Sequence, residues 1–213
     1  KTKSKKYIII GSYSTMSQEY RYMDATKPDG ELKTFQARKR GLEYSIEHFN
    51  DIWYVRTNKD AKNFRLMKTP VTATGEENWT EVIGNRDDVL LEGMEVFKDY
   101  LVLSERKAGI TQLRVMPTAG KEHYIEFGEK AYVAFTSINP EFDTDILRLN
   151  YQSLTTPNTT YDYNMKSKEK TMLKQQEVLG GFNAGDYRSE RVMAKVRDGV
   201  EVPVSIVYHK DTP

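Results

Sequence analysis

Few residues in this sequence could act as acid, base or nucleophile, and they are scattered. His48, His123 and His209 are the three histidines, the side chains whose ordinary pKa lies closest to neutrality. His48 and His123 fall in strand-like runs, where a packed structural histidine is the expected role. Cysteine is absent, which excludes disulfides, thiolate catalysis and Cys-ligated zinc or iron–sulfur centres. A serine nucleophile needs a base held by a third group. Gly11-Ser12-Tyr13-Ser14-Thr15 comes near the G-x-S-x-G elbow but lacks its second glycine. Neither a Walker lysine nor G-x-G-x-x-G occurs, so no phosphate loop is expected. The acidic turn Glu141-Phe142-Asp143-Thr144-Asp145 offers oxygen ligands without the twelve-residue loop and closing bidentate Glu of a calcium site. It is read as a solvated turn, and no metal or cofactor is expected. Arg38-Lys39-Arg40 has no neighbouring basic stripe and is likewise read as a solvated loop.

The charge balance excludes further classes. Across 213 residues, 32 basic side chains face 31 acidic ones, for a net charge of +1. That leaves no global field to attract nucleic acid or an anionic membrane. No apolar run approaches the roughly 20 residues that span a bilayer. The charged start Lys1–Lys6 is followed by an apolar run of Tyr7 to Ile10 only, too short for a signal peptide's core. The cytoplasm is the expected compartment, with the periplasm as the alternative. The chain also reads as a piece of something longer, because the run Val202–Tyr208 is a good strand with no visible partner.

Period-2 runs of β-branched and aromatic residues dominate the elements between these groups. Three successive segments share one grammar of strand, tight turn, return strand and two further strands. The first runs from Glu43–Phe49 through a turn at Asn50-Asp51 to Ile52–Arg56, then Phe64–Met67 and Trp79–Ile83. The second has Val89–Phe97, a turn at Lys98-Asp99, Tyr100–Leu103, Thr111–Met116 and His123–Phe127. The third has Tyr132–Ile138, a longer turn at Asn139–Asp145, Ile146–Leu149, Thr160–Met165 and Thr171–Lys174. A partial unit precedes them: Tyr7–Ser12, Tyr20–Asp24 and Leu32–Gln36, with a hairpin signal at Lys27-Pro28-Asp29-Gly30. The period of roughly 45–50 residues is that of four-stranded propeller blades. An ordinary β-sandwich is the competing architecture. A ring typically needs 4–8 blades, so more must lie upstream. After Lys174 the pattern breaks at Gly180-Gly181 and Asn183–Asp186, and a hairpin from Tyr187 to Tyr208 turns through Arg197-Asp198-Gly199.

Specific strings then carry a family resemblance. Tyr151–Tyr163 (YQSLTTPNTTYDY), Leu173–Val178 (LKQQEV) and Tyr187–Val192 (YRSERV) resemble the last propeller blade and its exit in the prolyl oligopeptidase family of serine peptidases. Arg197–Ser205 (RDGVEVPVS) resembles the hairpin that opens that family's hydrolase domain. Glu19–Tyr22, Glu43–His48, and Phe64-Arg65-Leu66 after Asp60–Asn63 are similar to its oligopeptidase B (protease II) branch. The resemblance implies an all-β chain: an incomplete β-propeller of about three and a half four-stranded blades from a seven-bladed ring, plus the opening β-hairpin of an α/β-hydrolase domain. Residues 1–176 would be propeller, and 177–213 linker and peptidase start. The implied activity is hydrolysis of short peptides after Arg or Lys. The family's Ser, Asp and His would lie beyond Pro213, so no catalytic residue falls in this chain, which would be inactive alone. Its partners would be the missing blades and the hydrolase domain of the same polypeptide, with short basic peptides as substrates.

What this part would contribute is access control, through a central tunnel lined by the first strand of each blade. Glu43–Phe49, Val89–Phe97 and Ala131–Ile138 are those strands. They carry Glu43, Glu47, Glu92 and Glu95; Glu43 and Glu47 share parity and so face one side. The four could steer cationic peptides inward, or instead be neutralised by arginines nearby, as charges at such positions usually need. A non-enzymatic propeller scaffold is the competing function, and a carbohydrate-active propeller, which would want paired carboxylates, ranks behind both.

Overall fold

The computed structural model describes residues 1–212. Among the described residues, seventeen strands form five antiparallel sheets, each a simple meander in chain order. The first sheet has three strands, β1 (Tyr7–Ser14), β2 (Ser17–Asp24) and β3 (Lys33–Gln36). The second has β4 (Tyr44–Phe49), β5 (Ile52–Thr57), β6 (Arg65–Pro70) and β7 (Thr80–Ile83). The third has β8 (Val89–Val96), β9 (Tyr100–Lys107), β10 (Ile110–Pro117) and β11 (His123–Tyr124). The fourth has β12 (Tyr132–Thr136), β13 (Ile146–Ser153), β14 (Thr159–Asn164) and β15 (Lys170–Gln175). A two-stranded hairpin closes the chain, β16 (Tyr187–Lys195) and β17 (Glu201–His209).

Alternation in the second strands explains why the sheets stack face to face. Trp53 and Val55 of β5 are fully buried, and Tyr100 to Leu103 of β9 are buried without a break. A strand apolar on both sides must be covered on both sides. The cores accordingly lie between sheets. Tyr20 and Phe35 of the first sheet pack on Tyr44, Trp53 and Trp79 of the second. Phe49 and Leu66 of the second pack on Leu91, Leu101 and Leu103 of the third. Val102, Leu113 and Val115 of the third pack on Leu147, Leu149 and Tyr163 of the fourth. Each such side chain contributes about 1.5–3 kcal/mol on burial.

The four-strand repeat read from the sequence stands, with adjustments that packing explains. The ladder of β11 ends at Tyr124 rather than continuing to Phe127. Ile125 is buried, and Phe127 stacks on Tyr151 at 4.8 Å, so the chain leaves the ladder to cover the fourth sheet. β13 runs to Ser153 rather than Leu149, because Asn150 and Gln152 stay on its outer face, paired with Phe135 and Val133 of β12. Lys27-Pro28-Asp29-Gly30 forms a turn, with the Gly30 N–H on the Lys27 carbonyl at 2.9 Å, inside a longer loop between β2 and β3.

A meander of four puts two connections of each sheet at one end and two at the other. The first-to-second and third-to-fourth connections share one end; the second-to-third connections and the exit from the last strand share the opposite end. The chain therefore leaves β15 at the end where the β9–β10 turn lies. Gly180 and Gly181, at φ +93° and +84°, break the strand pattern there.

Candidate functional site

The four glutamates divide between the two ends of the sheets. Glu43 sits just before β4, where its carbonyl accepts the Thr57 hydroxyl at 3.0 Å and its N–H donates to Asn58 Oδ1 at 2.8 Å. Glu92 is held by Arg106, Nε to Oε1 at 2.6 Å. Beside it, Arg56 donates to the Leu91 carbonyl at 2.6 Å and lies 3.7 Å above the Phe64 ring.

Glu47 and Glu95 come together instead, at the end marked by the Asn50-Asp51 and Lys98-Asp99 turns. Lys3, in the turn that leads into β1, pairs with Glu95 at 3.0 Å and sits 3.2 Å above the Phe97 ring. Asn139, from the long β12–β13 connection, donates to the other Glu95 oxygen at 3.3 Å. The neighbouring Ser4 meets His48 Nδ1 at 2.8 Å. Lys3, Glu47, Glu95 and Asn139 belong to four successive units of the chain. Side chains from so many radially stacked sheets can meet only on the axial side, so the first strands do face the axis.

Burial dominates the electrostatics of this cluster. It pushes the Glu47 and Glu95 carboxyls up and the Lys3 ammonium down, and their mutual attraction opposes each shift. One Glu47 oxygen, Oε2, is buried without a hydrogen-bond partner.

In the long acidic connection Glu141, Asp143 and Asp145 are exposed, as a solvated turn requires, and the connection is also anchored to β9 and the turn before it. Asp143 pairs with Lys98 at 2.7 Å, Asp145 accepts the Tyr100 hydroxyl at 2.8 Å, and the Phe142 carbonyl accepts the Lys98 N–H at 2.9 Å. Arg38, Lys39 and Arg40 are likewise exposed, as a solvated loop requires, and two of them have local partners. Arg38 donates to Ser12, Ser14 and Ser17, closing the β1–β2 turn, and Lys39 pairs with Glu76 at 2.8 Å. Among the described residues, no group of three or more His, Asp or Glu side chains is placed to hold a metal.

Two carboxylates, one fully buried and one half-buried, went unnoticed in the sequence. Glu105, fully buried, takes Arg86 at 2.5 Å, Tyr124 at 2.8 Å and Arg114 at 3.5 Å. Glu129 accepts hydroxyls from Tyr151, Ser153, Thr155 and Thr156, which fold the β13–β14 connection around it. Burial acts to raise the Glu129 carboxyl, and the four hydroxyl bonds outweigh it, leaving it below the usual range. No local sequence signal marks either residue, since their partners are set by strand pairing.

The histidines are structural. His123 Nε2 meets the Tyr163 hydroxyl at 2.8 Å, and His209 lies 3.6 Å from Asp211 at an exposed strand end. His48 is fully buried against Tyr7 and Trp53, and burial, with Lys6 nearby, pulls its pKa down to about 4. Its unfolded value is near 6.5. As pH falls from about 6.5 to about 4, the unfolded chain takes a proton that folded His48 refuses, so this contribution is full above 6.5 and is lost on acidification. Glu47 and Glu95, raised on folding, act with the opposite sign. The difference between wild type and His48→Gln therefore isolates the histidine. The wild type should lose on the order of 2 kcal/mol more than the variant between pH 7.5 and pH 4.5, read by chemical denaturation at each pH.

Successive four-stranded antiparallel meanders stacked face to face, with apolar cores between neighbouring sheets, define a β-propeller. Residues 1–176 match the prolyl oligopeptidase N-terminal β-propeller domain, and the chain belongs to that family. It is 41% identical to dipeptidyl aminopeptidase BI of Pseudoxanthomonas mexicana, over 99% of this chain and 29% of that protein. It is 30% identical to protease 2 of Moraxella lacunata, over 98% of this chain and 30% of that protein. Among solved structures, oligopeptidase B from Trypanosoma brucei, closed form with covalently bound antipain, superposes with a TM-score of 0.89 at 29% identity, over 100% of this chain and 32% of its own. Oligopeptidase B from Leishmania major gives 0.88 at 27% identity, over 99% and 31%. The chain thus spans about 30% of the length of the relatives it matches.

Proposed function

We propose that this chain is the substrate-filtering propeller portion of a serine oligopeptidase that hydrolyses short peptides after Arg or Lys, its catalytic triad lying outside the chain. The observation that carries the reading is the close superposition of the whole chain, terminal hairpin included, on two oligopeptidases B. On this reading residues 1–176 are propeller, and 177–213 are the linker and first hairpin of the peptidase domain. The polar cluster supports a filtering role, since it draws side chains from four units together at one end of the sheets. A folded protein would be excluded there, and a flexible peptide would reach the active site as the two domains part.

Glu92 and Glu95 already hold cations and Glu47 is partly buried beside Lys3, so steering of basic peptides falls first to Glu43 and less to Glu47. The resemblance to a dipeptidyl aminopeptidase supports a second reading, release of N-terminal dipeptides. Product analysis decides between them. The full-length protein, given short peptides with a single internal Arg or Lys, should cut after that residue and leave folded proteins intact. Dipeptides released whatever the sequence would favour the second reading; no cleavage at all would favour an interaction scaffold. In the same assay Glu43→Lys with Glu47→Lys should lower kcat/KM for basic peptides, more at low salt than at high salt. An unchanged salt slope removes the steering role.

A further inference from the structure

The terminal hairpin touches the propeller at one polar point that its own fold does not require. Arg191, at the middle of β16, donates a guanidinium N–H to the backbone carbonyl of Ala108. Ala108 and Gly109 are the two residues joining β9 to β10, between the paired Lys107 and Ile110. Both have positive φ, +47° and +79°, the geometry of a type I′ turn. Glycine suits this geometry at the second position, whereas alanine at the first is strained. Strain of this kind persists where the surroundings over-determine it. Here both turn carbonyls are engaged: Ala108 by Arg191, and Gly109 by Arg106 at 3.4 Å.

The fit around the turn is close. A Cβ added to Gly109 would stand 3.2 Å from the Arg191 guanidinium and 4.0 Å from the Pro203 ring. A crevice of about 270 Å³ continues from the contact, lined by Gly109, Ile110, Tyr132, Leu154, Arg191 and Ser205. At its base the hairpin is closed on itself, where Lys210 pairs with Asp186, the residue just before β16, at 2.6 Å, and only the chain from Gln176 to Asn183 joins it to the fourth sheet. It is thus held covalently to the fourth sheet and non-covalently to the third.

We infer that the Ala108–Gly109 turn is the seat of the terminal hairpin, and that Arg191 is a latch which closes on it and releases when the hairpin's unit swings away about the 176–186 segment. With the base joined to the fourth sheet only through the linking chain, losing one contact to the third frees a rotation without unfolding either part. The release step rests on the proposed reading of domain opening; the seat does not.

Hydrogen exchange on the full-length protein separates the two. Arg191→Ala should raise exchange about tenfold both in residues 105–111 and in residues 187–209, which lie on different sheets. Arg191→Lys, which keeps one donor, should raise it less. Ser205→Ala, removing the cross-strand neighbour 3.5 Å from Arg191, should leave residues 105–111 unchanged. A rise confined to the hairpin, or no rise, overturns the seat. For release, Arg191→Ala should raise kcat/KM several-fold for a long peptide relative to a short chromogenic one. An unchanged ratio alongside faster exchange in the turn overturns the latch as a gate and leaves the seat. Full-length protein with no peptidase activity would instead overturn the proposed function, while the exchange comparison still decides the seat.

Discussion

Glu105→Ala is expected to destabilise the protein by about 3 kcal/mol, the low end of the range for breaking a buried ion pair. The carboxylate is fully buried and joins Arg86, from the connection between the second and third sheets, to Arg114 of β10 and Tyr124 of β11. Its removal strands two guanidinium groups. The loss stays at the low end for two reasons visible in the geometry. Arg114 keeps Glu122 at 2.6 Å, and Arg86 is exposed enough to turn toward water. Converting the pair together, Glu105→Met with Arg86→Met, should recover part of the loss, because a buried ion pair replaced by apolar volume is often neutral. Urea midpoints at an unchanged m-value measure both effects. A Glu105→Ala loss below about 1 kcal/mol would mean that the network is solvated in solution.

Trp53→Ala should cost more, about 4 kcal/mol. The indole is fully buried in the seam between the first two sheets, with the rings of Tyr7, Tyr22, Phe35 and His48 around it at 4.9 to 5.5 Å. No backbone adjustment can collapse a hole bounded by strands on both sides, so most of the cavity persists. Trp53→Phe is the informative companion. It keeps most of the apolar contact and deletes an indole N–H that has no acceptor, so it should cost less than about 1.5 kcal/mol. Equal losses in the two variants would show that the seam depends on the indole's full size rather than on filling the space.

These predictions fall on residues of unequal legibility. Trp53 could be read from the sequence, because alternation around Ile52-Trp53-Tyr54-Val55 demands cover on both faces and the four-strand repeat supplies it. The strands, their order and the turns at Asn50-Asp51 and Lys98-Asp99 followed from period and turn chemistry, which are local. Glu105 could not be read. In sequence it is one charge in Ser104-Glu105-Arg106-Lys107, and only the pairing with Leu91 and Gln112 turns it inward. Glu47, Glu92 and Glu95 do fall on first strands and Glu43 just ahead of one, yet their partners were not identified. Lys3 lies 92 residues from Glu95, and the contact exists only because the first and third units meet on the axis. Arg38 is exposed as read, but its partners were not legible, because serines carry no charge pattern to betray them.

The Lys3–Glu95 contact has a thermodynamic consequence. Sheets that touch only their neighbours behave as a one-dimensional array, in which stability is a sum of unit and interface terms and any interface can fail alone. A bond from the first unit to the third, passing over the second, adds a next-nearest-neighbour coupling. The second sheet is then flanked by two units that are also bound to each other, so peeling the first unit away must break two interfaces at once. Fraying from that side becomes concerted, and the first three sheets unfold as one cooperative block.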